Sequence, residues 1–230
     1  MCEADSRRIV VGNIHVLFNP KRGDVKLGQV RMLLEKAYDL SEKWGNIPIL
    51  LMGDFNCTPE SGIYKFLSTS KLNIAEHDRS GLSGQEKNQS APFGLLKLLN
   101  FGWTDKELRN ATGSSNCTIL KHPLKLHSSY ATVKGTNPRT RGSYGEPLAT
   151  TYHSKFLGTV DYIWYSAGVT PTKVLDTLPS DTLLRIGGLP CKDLGSDHLP
   201  LVAEFAFTES GRSKADDLCL PVKKDDNEEE

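Results

Sequence analysis

The stretch Ile47–Pro59, IPILLMGDFNCTP, decides how the rest of the chain is read. Ile47, Ile49, Leu50, Leu51 and Met52 form a short apolar block with no polar helical face, the pattern of a strand covered on both sides. Gly53 lets backbone pack closely, and Asp54 and Asn56 emerge where the strand runs out. In layered α/β sheets, ligands are met at strand ends. A carboxylate there must be paired, hydrated or metal-bound, because burying it alone is very costly. Thr159–Ser166 (TVDYIWYS) and Gly195–Phe207 (GSDHLPLVAEFAF) repeat the pattern of acidic residues beside an apolar run. The three stretches together predict one site that gathers Asp54, Asn56, Asp161, Asp197 and His198.

Upstream, Arg8–Leu17 reads as a strand rich in β-branched residues. Asn13 and His15 are two apart and share a face; His15 fits either a hydrogen-bonded core histidine or a site residue. Asn19-Pro20 and Arg22-Gly23-Asp24 read as a turn. Apolar residues from Leu27 to Trp44 recur at helical spacing and predict a helix over Val25–Trp44, closed by Gly45-Asn46. Strand, helix, strand in that order implies a layered α/β fold. A short helix is expected at Ser61–Leu67.

Downstream, Ser68–Ser90 is polar with little periodicity and reads as an exposed, mobile part of an insertion over about 68–118. Pro92–Leu99 and Thr104–Arg109 read as short helices within it. Lys134–Glu146 carries Lys134, Arg139, Arg141 and Tyr144; it suits either a phosphate-contacting loop or a solvated one. Thr150–Tyr152 is expected to start a strand, His153–Gly158 to turn, Val160–Tyr165 and His198–Phe207 to be strands, and Val174–Leu178 a weaker one. The division expected is a polar leader at 1–8, one domain over 9–207 and a disordered acidic tail at 208–230.

Lys plus Arg number 28 and Asp plus Glu 28, so no net charge draws the chain to nucleic acid or membrane; any such attraction is local. Five scattered cysteines without a C-x-x-C pair argue for a reducing compartment. The start has no apolar signal core and no run reaches membrane-spanning length, so an intracellular, soluble chain is expected. G-x-S-x-G and a Walker-type glycine loop are both absent. Clustered oxygen ligands with a histidine suit Mg2+, which takes carboxylates, water and substrate phosphate. That points to metal-assisted phosphoester chemistry, with Asn56 donating to a phosphoryl oxygen and Asp197 tuning His198.

NIHVLFNP, GDFN, TVDYIWYS and SDHLPL, in this order, resemble the C-terminal portion of the endonuclease/exonuclease/phosphatase superfamily. Within it they are similar to the carbon catabolite repressor 4 class of poly(A) deadenylases. The resemblance implies a two-sheet sandwich flanked by helices, with the N-terminal half missing here. It also implies Mg2+-dependent 3′-to-5′ shortening of mRNA poly(A) tails with release of 5′-AMP. By position, Asp54 matches a metal-associated aspartate, Asn56 a phosphate-binding asparagine, and Asp161 and His198 the VDYI and SDH residues. His15 matches a substrate-contacting histidine, while Pro20 and Phe156 match residues that sandwich the terminal base; Phe156 read alone also fits a core position. Asp54, Asp161 and His198 are thus the expected metal set.

Two departures are visible. Poly(A)-selective members carry Asn where this chain has Thr151, which weakens the expected adenine preference at that substrate-binding position. The family's main Glu ligand has no counterpart before His15, so the chain alone is expected to be impaired or inactive; the leucine-rich repeats by which some relatives join their scaffold are absent as well. The partners implied are poly(A) RNA at the mRNA 3′ end and a deadenylase complex, with no membrane and no DNA, in cytoplasm and nucleus. Another phosphoesterase of the superfamily, or a non-catalytic half-domain that binds a partner, are the alternatives.

Overall fold

The computed structural model describes residues 7–85 and 102–208. Strand β1 (Val10–His15) is followed by helix α1 (Gly23–Lys43) and strand β2 (Ile49–Asp54). β1 and β2 pair in parallel, from Val10 opposite Ile49 to His15 opposite Asp54. Parallel neighbours need a crossover, and α1 supplies it. β2 then pairs antiparallel with a later strand, Asp161–Tyr165, to which His127–Ser128 adds an edge. The result is one four-stranded sheet in which β2 is an inner strand.

One face of this sheet is core. Val10, Ile49, Leu51, Tyr162 and Trp164 are buried there with Leu27, Val30 and Leu34 of α1. Helix α2 (Gly62–Thr69) adds Ile63, Phe66 and Leu67 to the same cluster; its first turn is capped by the Ser61 hydroxyl, which accepts from the Tyr64 amide at 3.1 Å. Truncating Leu51, which is fully buried, to Ala is expected to cost about 2–5 kcal/mol. The opposite face differs from expectation. Leu50 and Met52 are only half-buried and Val11 is 60% exposed, so among the described residues β2 has full helical cover on one side alone.

The polar stretch after α2 is also corrected, as far as it is described. Strand β3 (Lys71–Asn73) pairs with β4 (Ile119–Lys121), and Leu72, Ile74 and Leu82 are buried in the main core. The apolar residues there are too sparse to show a period, yet each is used. The expected helix at Thr104–Arg109 is α3 (Asp105–Thr112), opened by a capping box between Thr104 and Glu107. Asn110 on α3 donates to Asp24 Oδ2 at 2.8 Å, tying this region to the start of α1. The helix expected at Pro92–Leu99, residues 1–6 of the leader and 209–230 of the tail lie outside the described residues.

The short elements β5 (His127–Ser128) and α4 (Ser129–Thr132) lead into the basic loop. That loop is a strap. Asp176 accepts from the Thr136 amide and hydroxyl, the Asn137 amide and Arg141 Nη2, at 2.7–3.3 Å. Arg141 also lies 4.7 Å from the Tyr130 ring centroid, and Arg139 pairs with Asp181. Arg141 is therefore engaged within the fold, while Arg139 stands in an exposed pair.

Thr151–His153 (β6) and Phe156–Gly158 (β7) form a hairpin where a strand start and a turn were expected. Strand β8 (Asp161–Tyr165) follows, as expected. The weak strand expected at Val174–Leu178 lies earlier, as β9 (Val169–Val174), where Pro171 hides it from a propensity reading. Helix α5 (Ser180–Ile186) shows no period because Leu183 is its one buried residue. β10 (Ala203–Phe207) pairs with β9, whereas His198–Val202, interrupted by Pro200, is not strand.

Candidate metal and phosphodiester site

The register of the sheet builds the site. His15 ends β1, Asp54 ends β2 and Asp161 begins β8; Asp54 stands opposite both of the others. Three side chains two strands apart at most are thereby placed at one edge of one sheet. His198 arrives from the irregular segment before β10 and forms an isolated bridge with Thr151. Its Nδ1 donates to Asp161 Oδ2 at 2.8 Å.

The motif G-D-F-N has a physical reason at each position. Gly53 has φ of +130°, and a Cβ there would lie 2.0 Å from the Ile14 carbonyl oxygen, so only glycine lets β1 and β2 close at this point. Phe55 is fully buried against Tyr162, with ring centroids 6.1 Å apart. Asn56 adopts φ of +47°, a left-handed turn that asparagine tolerates better than most residues. Its amide nitrogen donates to Asp54 Oδ1 at 2.7 Å, and its side-chain Nδ2 donates to the Val16 carbonyl at 2.8 Å and to Asp54 Oδ2 at 3.2 Å.

Burial, and then the nearby Asp161 carboxylate, push the Asp54 carboxyl up to about 6. His198 moves up as well, chiefly through its hydrogen bond to Asp161. Like-charged carboxylates with a histidine beside them form a site that a cation would relax. One ligand atom from each of Asp54, Asp161 and His198 lies within 4.8 Å of the others, a donor set that fits a divalent metal ion. His15, highly exposed, has Nε2 at 3.4 Å from Asp54 Oδ2, at the open side of the cluster.

Other expected site residues take different places. Asp197 is exposed and does not hold His198; Asp161 does, because Thr150 ties the two segments together, its hydroxyl accepting from the Asp161 amide at 3.2 Å and its carbonyl from the Leu199 amide at 2.7 Å. Thr151 is buried and donates its hydroxyl to the Asp197 carbonyl at 2.8 Å, so it clamps that segment instead of facing a substrate. Asn56 is 3% exposed with both amide hydrogens engaged, so in this arrangement it orients Asp54 and presents no free donor to a phosphoryl oxygen. Pro20 sits half-buried in the turn after β1. Phe156 is not core: it is half-buried, folds over Gly158 and lines a cavity of about 540 Å³ together with Thr58, Gln85, Tyr144 and Lys155.

Two residues escaped the sequence reading. Lys26 is fully buried; its Nζ donates to the Asn56 carbonyl at 2.9 Å and to Gln85 Oε1. Burial lowers its ammonium group to about 8, which leaves it charged at neutral pH. Gln85 Nε2 donates to Asn56 Oδ1 at 2.9 Å. Lys26 had a readable signal, since it falls on the Gly23, Leu27, Val30, Leu34 stripe of α1. Gln85 had none.

The family model that matches is the Endonuclease/Exonuclease/phosphatase family, over residues 9–198. The chain belongs to this family. Enzymes of the family are generally dependent on divalent metal, in keeping with the donor set above. Carbon catabolite repressor protein 4 homolog 3 of Arabidopsis thaliana is 57% identical over 90% of this chain and 48% of its own length. The CCR4-Not complex 3′-5′-exoribonuclease subunit Ccr4 of Phaeosphaeria nodorum is 25% identical over 96% of this chain and 38% of its length. A solved structure of ANGEL2, described as a 2′,3′-cyclic phosphatase in complex with adenosine-2′,3′-vanadate, is 33% identical with a TM-score of 0.64. It aligns with 86% of this chain and 56% of that one. The chain spans about half the length of the Arabidopsis relatives it matches.

Proposed function

We propose that this site hydrolyses phosphodiesters at the 3′ end of RNA, shortening adenylate tails from 3′ to 5′ and releasing 5′-AMP, with Mg2+ as the metal. The observation that carries the reading is the convergence of Asp54, Asp161 and His198 from three separate segments. Membership of a phosphoesterase family and the 3′-5′-exoribonuclease named among the relatives support it. When bound, a divalent ion lowers the pKa of a water and neutralises phosphate charge. The chain's own residues do the rest. Asp54, Asp161 and His198 would hold the cation, and Asn56 fixes the Asp54 carboxylate. His198 is oriented for that role by the hydrogen bond from its Nδ1 to Asp161 Oδ2. Hydrolysis adds water across the last P–O3′ bond, leaving a 3′-hydroxyl on the shortened RNA. Phe156 offers a face for the terminal base, a stacking contact of about 1–3 kcal/mol that is tolerant of base identity.

Two carboxylates and an imidazole are a sparse set for Mg2+, so these residues by themselves bind it weakly in this reading. Association with a deadenylase complex and residence with mRNA in cytoplasm and nucleus belong to the same proposal. A second reading, a cyclic phosphatase acting on 2′,3′-ended nucleotides, is favoured by the ANGEL2 likeness alone. The test uses the longest natural polypeptide carrying these residues, with two RNAs: one ending in adenylates, the other in a 2′,3′-cyclic phosphate. Release of 5′-AMP from the first, abolished by Asp54→Ala and His198→Ala, is the expected result. Processing of only the second would replace the exonuclease reading, and no turnover of either would leave a binding domain.

A further inference from the structure

The buried contacts behind Asp54 form a chain with a direction. Lys26 Nζ donates to Gln85 Oε1, Gln85 Nε2 donates to Asn56 Oδ1 at 2.9 Å, and Asn56 Nδ2 donates to Asp54 Oδ2 at 3.2 Å. An ammonium group can only donate, and an ionised carboxylate can only accept. Between those two ends lie two amides, each of which could in principle sit either way round. The lysine removes the choice. Facing Nζ, Gln85 must present oxygen, so its nitrogen turns to Asn56; Asn56 must then present oxygen to Gln85 and nitrogen to Asp54. The second Asn56 hydrogen goes to the Val16 carbonyl at 2.8 Å, an acceptor that enforces the same orientation. Lys26 also donates to the Asn56 carbonyl at 2.9 Å, so it grips both the main chain and the relay.

We propose that Lys26 and Gln85 are positioning residues that set the polarity of this relay and thereby hold the Asp54 carboxylate in the orientation its chemistry needs. Neither touches the reacting atoms, and Lys26 is fully buried, while Gln85 also lines the cavity beside Phe156. The proposal deepens the phosphodiesterase reading and rests on it for the consequence in catalysis, but the relay itself is a property of the chain without metal or substrate.

The discriminating variant is Gln85→Glu. A carboxylate at position 85 gives Lys26 a full charge partner, so a residue with a merely structural role would tolerate or welcome it. The relay predicts the opposite at the site: the introduced carboxylate can only accept, Asn56 must reverse, and its oxygen then faces both Asp54 and the Val16 carbonyl. Gln85→Ala instead leaves Asn56 held by Val16, and Lys26→Met removes the donor that sets the direction. Thermal melting, side-chain amide NMR of the metal-free chain, and kcat and KM on adenylated RNA in Mg2+ are measured for each.

The expected outcome is that Gln85→Glu melts no lower than wild type, yet shifts the Asn56 side-chain amide resonances and loses ten-fold or more in kcat with little change in KM. Gln85→Ala loses less than Gln85→Glu. Should Lys26→Met fail to fold, the two Gln85 variants still decide. A Gln85→Glu chain with wild-type Asn56 amide resonances and wild-type kcat overturns the relay. If the wild type itself does not turn over RNA, the functional reading has failed, and the metal-free amide resonances alone judge the relay: unshifted in Gln85→Glu, they refute it.

Discussion

Replacing Glu146 by Gln is expected to make the protein more stable at pH 8, although it removes a charged residue. Glu146 is 1% exposed. Its Oε1 accepts from the Tyr64 hydroxyl at 2.8 Å, and the Ser128 hydroxyl lies close enough to act on the carboxyl. Burial raises its carboxyl from 4.5 to about 7, with the Ser128 and Tyr64 hydroxyls and the Arg141 guanidinium offsetting only part of that cost. A carboxyl whose folded pKa lies above its unfolded one favours the fold when protonated. Its contribution is complete below about pH 4.5 and is lost as pH rises through about 7. Each pKa unit corresponds to about 1.4 kcal/mol, so full ionisation costs the fold roughly 3 kcal/mol. Gln is nearly isosteric, keeps an oxygen for Tyr64 and cannot ionise.

Urea melts of the two proteins from pH 4 to 8 measure the difference. At pH 4 they are expected to differ by less than about 1 kcal/mol, the scale of one neutral hydrogen bond. By pH 8 the variant should lead by roughly 2–3 kcal/mol. A variant that is instead less stable at pH 8, beside a wild type whose stability is flat across the range, would show that Arg141 holds the carboxylate ionised and that burial is not the dominant cause.

Other outcomes follow from particular contacts. Asp54→Asn relieves the repulsion with Asp161, so in EDTA it should melt above wild type while losing metal binding; equal or lower melting would refute the strain assigned to this pair. Arg141→Ala breaks a partly buried pair with Asp176 and a stack on Tyr130 and should cost about 1–3 kcal/mol, against less than about 0.5 kcal/mol for Arg139→Ala on its exposed pair. Neither should weaken RNA binding beyond the loss of one exposed charge, as filter binding at two salt concentrations would report. Gly158→Ala puts a Cβ 2.9 Å from the Phe156 ring, so it should turn that ring and raise KM for adenylated RNA more than it lowers kcat.

The parts of the fold legible in the sequence are those where one residue type carries a dense local signal. α1 shows its stripe, β2 its apolar block, and G-D-F-N its turn, because Gly53 and Asn56 are each demanded by backbone conformation. What could not be read depends on pairing across the chain. The Asp161–His198 contact depends on Thr150 holding both segments, whereas adjacency in sequence pointed to Asp197. Thr151 reads as a substrate position from its place before Phe156, but its hydroxyl is taken by a carbonyl 46 residues away. Likewise Gln85 looks like any loop polar residue until Lys26, 59 positions earlier, is seen to end beside it.

The central claim is that side chains from three distant segments hold one divalent ion at the sheet edge. Titrating the chain with Mn2+, followed by electron paramagnetic resonance in the presence of 5′-AMP, tests it most directly. A bound ion is expected, lost in Asp54→Ala and weakened in Asp161→Asn and His198→Ala, with all three variants folded. Binding that is the same in wild type and in the Asp54→Ala, His198→Ala double variant would contradict it.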